Sequence, residues 1–224
     1  KRGGKGMIGM ETKEEDMVEH FISANTHSDL LFFSDLGKVY QVKAYEIPEG
    51  SRTSKGKAIH NFVSLGSSET INSILASPKR SKDQKQEGFL VMATKDGIIK
   101  KVEGAAFENV RRSGLVAIKL KPNDSLRWVK ITHGRDEIIM VTKFGQAIRF
   151  GEKDVRPMGR SAAGVRAIRL KKNDEVIGFN VIPEGEPGKT MLLLVVTELG
   201  YGKKTPLKEY KRQRRGGSGI KTAK

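Results

Sequence analysis

The sequence has no cysteine, which excludes disulfides and thiolate metal ligands and is compatible with a reducing compartment. Aromatic side chains make up only 6% of the 224 residues, with a single Trp, too few for a platform of stacked bases. No apolar run approaches the ~20 residues a membrane-crossing helix needs, and Met191–Val196 reads as a short buried strand. Lys1-Arg2-Gly3-Gly4 is followed by no apolar segment of the signal-peptide kind. A start without Met, inside a motif, reads as a piece of a longer chain. Helical periodicity is also missing: only Glu11–Phe21 could form a helix, and the repeat described below reads its second half as a strand. His20, His27, His60 and His133 are scattered without metal-ligand spacing, which speaks against a catalytic or zinc centre.

Positive charge is abundant. The 42 Lys and Arg residues against 26 Asp and Glu give a net charge of +16 and a pI near 10.0. A charge of this size requires an anionic partner: nucleic acid, an acidic membrane or an acidic protein.

The basic residues are phased by an internal repeat. Four segments carry an apolar run, a Ser/Thr-x-x-Gly turn and a second run: Leu30–Phe33 with Ser34–Gly37, Phe89–Ala93 with Thr94–Gly97, Ile138–Val141 with Thr142–Gly145, and Leu192–Val196 with Thr197–Gly200. Each predicts a β-hairpin with glycine at a positive-φ turn position. A second glycine follows 19, 17, 19 and 19 residues later, at Gly56, Gly114, Gly164 and Gly219, always inside a basic stretch. Lys1-Arg2-Gly3-Gly4-Lys5-Gly6 is a fifth copy of that stretch. An acidic residue (Asp16, Glu69, Asp124, Asp174) then precedes a third run, at Met17–Ser23, Ile71–Ala76, Leu126–Thr132 and Val176–Ile182. These acids recur beside turns, so turn capping explains them better than catalysis does.

A period of 50 to 58 residues, with about four short strands in each unit, predicts an all-β, propeller-like fold. The expected units within one domain, 1–224, are 1–29, 30–76, 88–132, 136–182 and 189–224. The insertion Pro78–Glu87 has no apolar residue and reads as a mobile surface loop, and Pro183–Gly188 as a turn. Repetition at one phase would set the basic stretches on the same position of every unit, as a band around a curved body. Lys38, Lys100, Lys101, Arg149, Lys203 and Lys204 follow the hairpin turns and are expected to add to it. The glycine-rich stretches lack the order of a nucleotide-binding loop and a following helix, but they suit close backbone approach to a phosphate. With no recognition helix or zinc finger, the expected contacts are to phosphates, and any sequence preference would come from DNA bendability.

Lys1-Arg2-Gly3-Gly4-Lys5-Gly6 resembles the signature box Gln-Lys/Arg-Arg-Gly-Gly-Lys/Arg-Gly of the C-terminal domain of bacterial DNA gyrase A, without its leading Gln. Asn25-Thr26-His27, Lys38-Val39-Tyr40, Tyr45-Glu46-Ile47-Pro48, Ser54-Lys55-Gly56, Val155–Arg160, Gly164-Val165-Arg166 and Gly200–Thr205 also match that family. Gln213–Gly219 fits the box with Ser218 at a basic position, so both copies remain candidates. The resemblance implies a β-pinwheel of four-stranded blades that exchange strands, here a partial set of about four: the end of blade one, most of blades two to four and the start of a further repeat. It also implies wrapping of double-stranded DNA on a basic rim, alongside the rest of gyrase A and its partner gyrase B, in the bacterial cytoplasm at the nucleoid. In this family the catalytic tyrosine and the ATPase lie in other parts of the enzyme, so no activity, cofactor, metal, membrane or small-molecule substrate is expected here. The expected DNA contacts are Lys1, Arg2, Gly3, Gly4, Lys5, Gly6, Arg52, Lys55, Lys57, Arg111, Arg112, Arg156, Arg160, Arg166, Lys203, Lys204, Arg212, Arg214 and Arg215. Two other readings are the related topoisomerase IV domain, which generally lacks the intact box, and a propeller scaffold for an acidic protein or RNA.

Overall fold

The computed structural model describes residues 17–51, 53–77, 88–185 and 191–222. All four expected hairpins form, with φ between 73° and 82° at Gly37, Gly97, Gly145 and Gly200. The strands are β1 (Asp29–Ser34), β2 (Lys38–Lys43), β3 (Ile71–Ser77), β4 (Phe89–Thr94), β5 (Ile98–Glu103), β6 (Leu115–Val116) and β7 (Leu126–Thr132). They continue as β8 (Glu137–Thr142), β9 (Gln146–Gly151), β10 (Val165–Arg166), β11 (Val176–Ile182), β12 (Leu192–Val196), β13 (Gly202–Pro206) and β14 (Ile220–Lys221).

Three sheets have four strands each, in the orders β3-β1-β2-β6, β7-β4-β5-β10 and β11-β8-β9-β14. Every named strand pair is antiparallel. Each hairpin gains a third strand from its own repeat. The fourth is a two-residue strand from the next repeat, directly after that repeat's second glycine. Neighbouring units therefore share a sheet and cannot separate without breaking backbone hydrogen bonds.

Alternate side chains of a strand face opposite sides of its sheet, and here both sides are covered. Leu31 and Phe33 of the first sheet pack with Leu90 and Met92 of the second. Val91 and Ala93, on the other face of the same strand, pack with Ile138 and Met140 of the third. Ile139 turns the opposite way, toward Leu207 and Tyr210. Trp128 and Phe179 meet between the third strands of consecutive sheets at a centroid separation of 6.5 Å. The alternation is that of stacked blades, and Phe32, Val91 and Met140 are buried as their hairpin positions predict.

Two expectations fail for a shared reason. The fourth hairpin, β12–β13, is a two-stranded sheet among the described residues, and Leu194 is 62% exposed where burial is expected. Residues Met17–Ser23, expected as a strand, form none and are exposed, with Phe21 at 93%. A third strand needs the hairpin of its own repeat, and among the described residues none is there for Met17–Ser23 to pair with. A hairpin in turn needs its third strand to bury its outer face. The expected loop 78–87 lies outside the described residues, as does the second half of the Pro183–Gly188 turn.

Asp124 and Asp174 cap turns as expected, and Asp16 lies outside the described residues. Asp124 Oδ1 accepts the amides of Asp96 (3.0 Å) and Ser125 (2.8 Å), and Asp174 Oδ1 accepts those of Phe144 (3.0 Å) and Glu175 (3.0 Å). Each ties the start of a third strand to its hairpin turn. Glu69 does so differently, as a buried carboxylate that accepts from Tyr40 Oη (2.8 Å) and Gly66 N (3.0 Å).

Three cations expected on the rim point inward instead. Lys100 is fully buried and donates to the Ala117 carbonyl (2.7 Å) and to that of Arg160. Lys101 lies 3.3 Å from the buried carboxylate of Glu152, above the Phe89 ring. Arg149 pairs with Glu137 at 2.5 Å and donates to the Leu207 (3.0 Å) and Tyr210 (3.3 Å) carbonyls. All three sit on the second strand of a hairpin, over which the next repeat lays its loop. A side chain there is covered whatever its charge, and persists only because it finds acceptors.

This packing has two measurable consequences. Gly37 and Gly200 have similar positive φ (77° and 82°), but a Cβ on Gly37 would lie 2.6 Å from the Ile118 carbonyl oxygen, whereas one on Gly200 would meet nothing within 4 Å. Gly200→Ala should cost only the left-handed strain, about 1–2 kcal/mol. Gly37→Ala should cost clearly more in urea unfolding, and equal costs would contradict the packing. Burial, with the nearby Arg160 charge second, pushes the Lys100 ammonium down to about 8, against about 10.4 for a free lysine. Between these values the unfolded chain holds a proton that the folded chain has released, so this group's contribution to stability rises with pH. The stability of the native chain minus that of Lys100→Met should therefore increase from pH 8 to 10 in urea titrations. A flat or falling difference would rule the depressed value out.

Candidate nucleic-acid interface

The basic stretches of the second, third and fourth repeats lie between the single 3₁₀ turn that ends each hairpin and the short strand passed to the preceding sheet. At its start, each runs beside the second strand of the preceding hairpin. Met158 N donates to Lys101 O (2.9 Å) and Gln213 N to Arg149 O (2.8 Å), and Val110 N donates to the Gln41 side chain (3.0 Å). At its end, the chain is held by the preceding turn glycine. Ala117 N donates to Gly37 O, Ala167 N to Gly97 O and Thr222 N to Gly145 O, each at 2.8 Å.

The loops are also joined to one another. Lys119 N donates to Ala162 O (3.2 Å), Arg169 N to Gly217 O (2.8 Å) and Gly216 N to Ala167 O (2.6 Å). Arg215 reinforces the last junction, with Nε donating to Asp154 O (2.8 Å) and Nη1 to Arg166 O (3.1 Å). Residues 111–119, 160–169 and 213–217 thus form one backbone-linked series along consecutive repeats.

Along this series Arg111, Arg112, Arg156, Arg166, Arg212 and Arg214 are exposed, and Arg160 and Arg215 are half-buried. Lys55 and Lys57 are exposed on the loop after the first hairpin. Several of these cations already have partners. Arg112 pairs with Glu46 at 2.8 Å, Arg212 lies 3.8 Å from Glu137, and Arg215 is engaged with the carbonyls above. Lys38 is half-buried, 3.8 Å from Glu69. Lys203 and Lys204 are exposed on β13, at the positions that Lys100 and Lys101 occupy on β5. Among the described residues no loop lies over that sheet. Lys1, Arg2, Gly3, Gly4, Lys5, Gly6 and Arg52 lie outside the described residues.

Other exposed cations escape the sequence reading. Lys119 and Arg169 stand five residues past the second glycine of their repeats, and Lys121 and Lys171 seven past it. The signal was the same phasing that marked the basic loops, read one segment too short. Among the described residues no group of His, Asp and Glu could hold a metal ion, and no helix is long and apolar enough to cross a membrane.

Residues 1–25, 28–75, 88–133, 136–183 and 192–224 match the family described as DNA gyrase C-terminal domain, beta-propeller. The DNA gyrase A subunit of Staphylococcus epidermidis is 44% identical over 99% of this chain, and that of Staphylococcus aureus 42% identical over the same share. The chain spans 24% of the length of these relatives. A crystal structure of the C-terminal domain of DNA topoisomerase IV superposes on 88% of this chain and 58% of its own, with a TM-score of 0.77 and 28% identity. A DNA gyrase A C-terminal domain superposes on 97% of this chain and 71% of its own, with a TM-score of 0.70 and 28% identity. With its stacked antiparallel sheets and exchanged short strands, the chain is a β-pinwheel and belongs to the DNA gyrase C-terminal domain family.

Proposed function

We propose that this chain binds double-stranded DNA through its phosphates and wraps it along the linked basic loops, as the wrapping domain of a gyrase A protein. The observation that carries the reading is the series 111–119, 160–169 and 213–217, whose backbone hydrogen bonds hold exposed Arg and Lys side chains at the same phase of consecutive repeats.

Geometry favours wrapping over simple contact. Bending 20–30 base pairs smoothly through 40–90° costs about 1–6 kcal/mol. One basic patch does not offset that cost repeatedly. A row of loops does, because each further repeat reaches phosphates only when the duplex follows it. Within the whole enzyme the wrap would present a DNA segment to the cleavage core, so that ATP-driven strand passage introduces negative supercoils. Partners would be the rest of gyrase A, and gyrase B, in the bacterial cytoplasm at the nucleoid. The chemistry would belong to those other parts.

The topoisomerase IV domain is a close structural match, yet the curated relatives at 42–44% identity are gyrases, and Arg2–Gly6 resembles the gyrase box. If that segment fixes one end of the wrap, replacing Arg2 and Lys5 by Ala in the intact enzyme should abolish supercoiling and spare relaxation. Normal supercoiling by that variant would remove the clamp role. For the chain alone, log affinity for duplex DNA should fall linearly with log salt, with a slope of about −0.9 per neutralised phosphate. Unrelated sequences should bind alike. Salt-insensitive binding, or strong preference for one short sequence, would defeat the reading.

A further inference from the structure

An open cleft of about 310 Å³ lies where the second and third repeats meet. Asp96 and Ile98 enter it from the turn of the second hairpin, Lys121 from the segment after β6, and Arg166, Ile168, Arg169 and Leu170 from the third repeat. We propose that this cleft seats a backbone phosphodiester of the wrapped DNA, held by Lys121, Arg166 and Arg169; the assignment rests on the DNA-binding reading above.

The cations and the apolar wall together carry the argument. Lys121, Arg166 and Arg169 are exposed, and among the described residues none of them makes an ion pair. They converge beside Ile98, Ile168 and Leu170, where water screens charge less than on an open surface. Two guanidinium forks and an ammonium match the oxygens of a phosphate. The loops that frame them are fixed: Ala167 N is held by Gly97 O, Lys119 N by Ala162 O and Arg169 N by Gly217 O.

Asp96 is the one acidic side chain of the lining. Burial, and then the neighbouring carboxylate of Asp124, push its carboxyl upward; Lys95 and Lys121 oppose this, and Glu175 adds to it. Even ionised, it leaves three cations against one anion (+3 − 1 = +2), which a phosphodiester partly neutralises.

The preceding junction lacks this set of residues. There, between the first and second repeats, Val116 stands in place of Arg166 and Leu36 of the first turn in place of Asp96. The three-cation arrangement therefore arises where residues from the second and third repeats are brought together by strand exchange through β10.

The test measures binding of mixed-sequence duplex DNA to the 224-residue chain by fluorescence anisotropy across a salt series. Lys121→Ala/Arg169→Ala is compared with Lys153→Ala/Lys208→Ala, which removes the same charge at exposed positions outside the cleft. The cleft variant should lose about tenfold in affinity and about 0.9 or more in salt slope, and the control pair about twofold or less. Asp96→Asn, which removes the opposing carboxylate without deleting a contact, should bind tighter. Equal losses in the two pairs, with Asp96→Asn unchanged, would overturn the cleft while leaving the wrapping function intact. A native chain that fails to bind duplex DNA would overturn both. Saturable uptake of inorganic phosphate that the cleft variant loses, with DNA affinity unchanged, would assign the cleft to a free anion instead.

Discussion

The carbonyl of each hairpin-turn glycine accepts a backbone amide from the repeat that follows: Gly37 from Ala117, Gly97 from Ala167 and Gly145 from Thr222. The positive φ of the glycine leaves no side chain in the way, and at Gly37 a Cβ would strike the very segment that makes the bond. This contact sets the short exchanged strands β6, β10 and β14 beside the preceding sheets. It thereby decides where each basic loop ends. The stacked cores supply most of the apolar burial, but the glycine contact converts a chain of blades into an ordered row of loops.

Positive charge divides into two groups with different work. Cations on the second strand of a complete hairpin lie beneath the next loop and hold its carbonyls or a buried carboxylate, as Lys100, Lys101 and Arg149 do. Cations on the loops and on the segment after them face outward. The net charge of +16 therefore overstates the charge open to DNA. Some of the excess serves inside the protein to fix the geometry of the rest. On the proposed reading, repetition would make the remainder effective, since counterion release adds with each phosphate neutralised and bending becomes favourable only when several successive contacts form.

Much of this was legible in the sequence. The Ser/Thr-x-x-Gly turns and the second glycines are local signals with fixed offsets, and they located all four hairpins and the basic loops. Asp124 and Asp174 were legible as turn caps for the same reason. What failed was whatever depends on a strand or loop beyond the local signal. Leu194 has the apolar character of Val91 and Met140, but among the described residues its sheet has no third strand to cover it. Met17–Ser23 has the composition of a third strand and, among the described residues, no hairpin to pair with. Lys100 and Lys203 occupy the same repeat position, one buried under the following loop and the other bare. Burial and charge exposure here depend on which strands and loops cover a hairpin, and the hairpin's own sequence does not contain that information. Lys121 and Arg169 are a different omission, phased with the glycines but downstream of the segment that drew attention.

The central claim is that the linked loops bend DNA along a defined path. Ligation of a nicked circular plasmid in the presence of the chain, followed by removal of protein and separation of topoisomers, tests it directly. A wrap with the positive crossing implied by the family traps a positive shift in linking number that grows with protein and then saturates. An unchanged topoisomer distribution, at protein concentrations where binding is complete, would mean that the basic rim holds DNA without wrapping it.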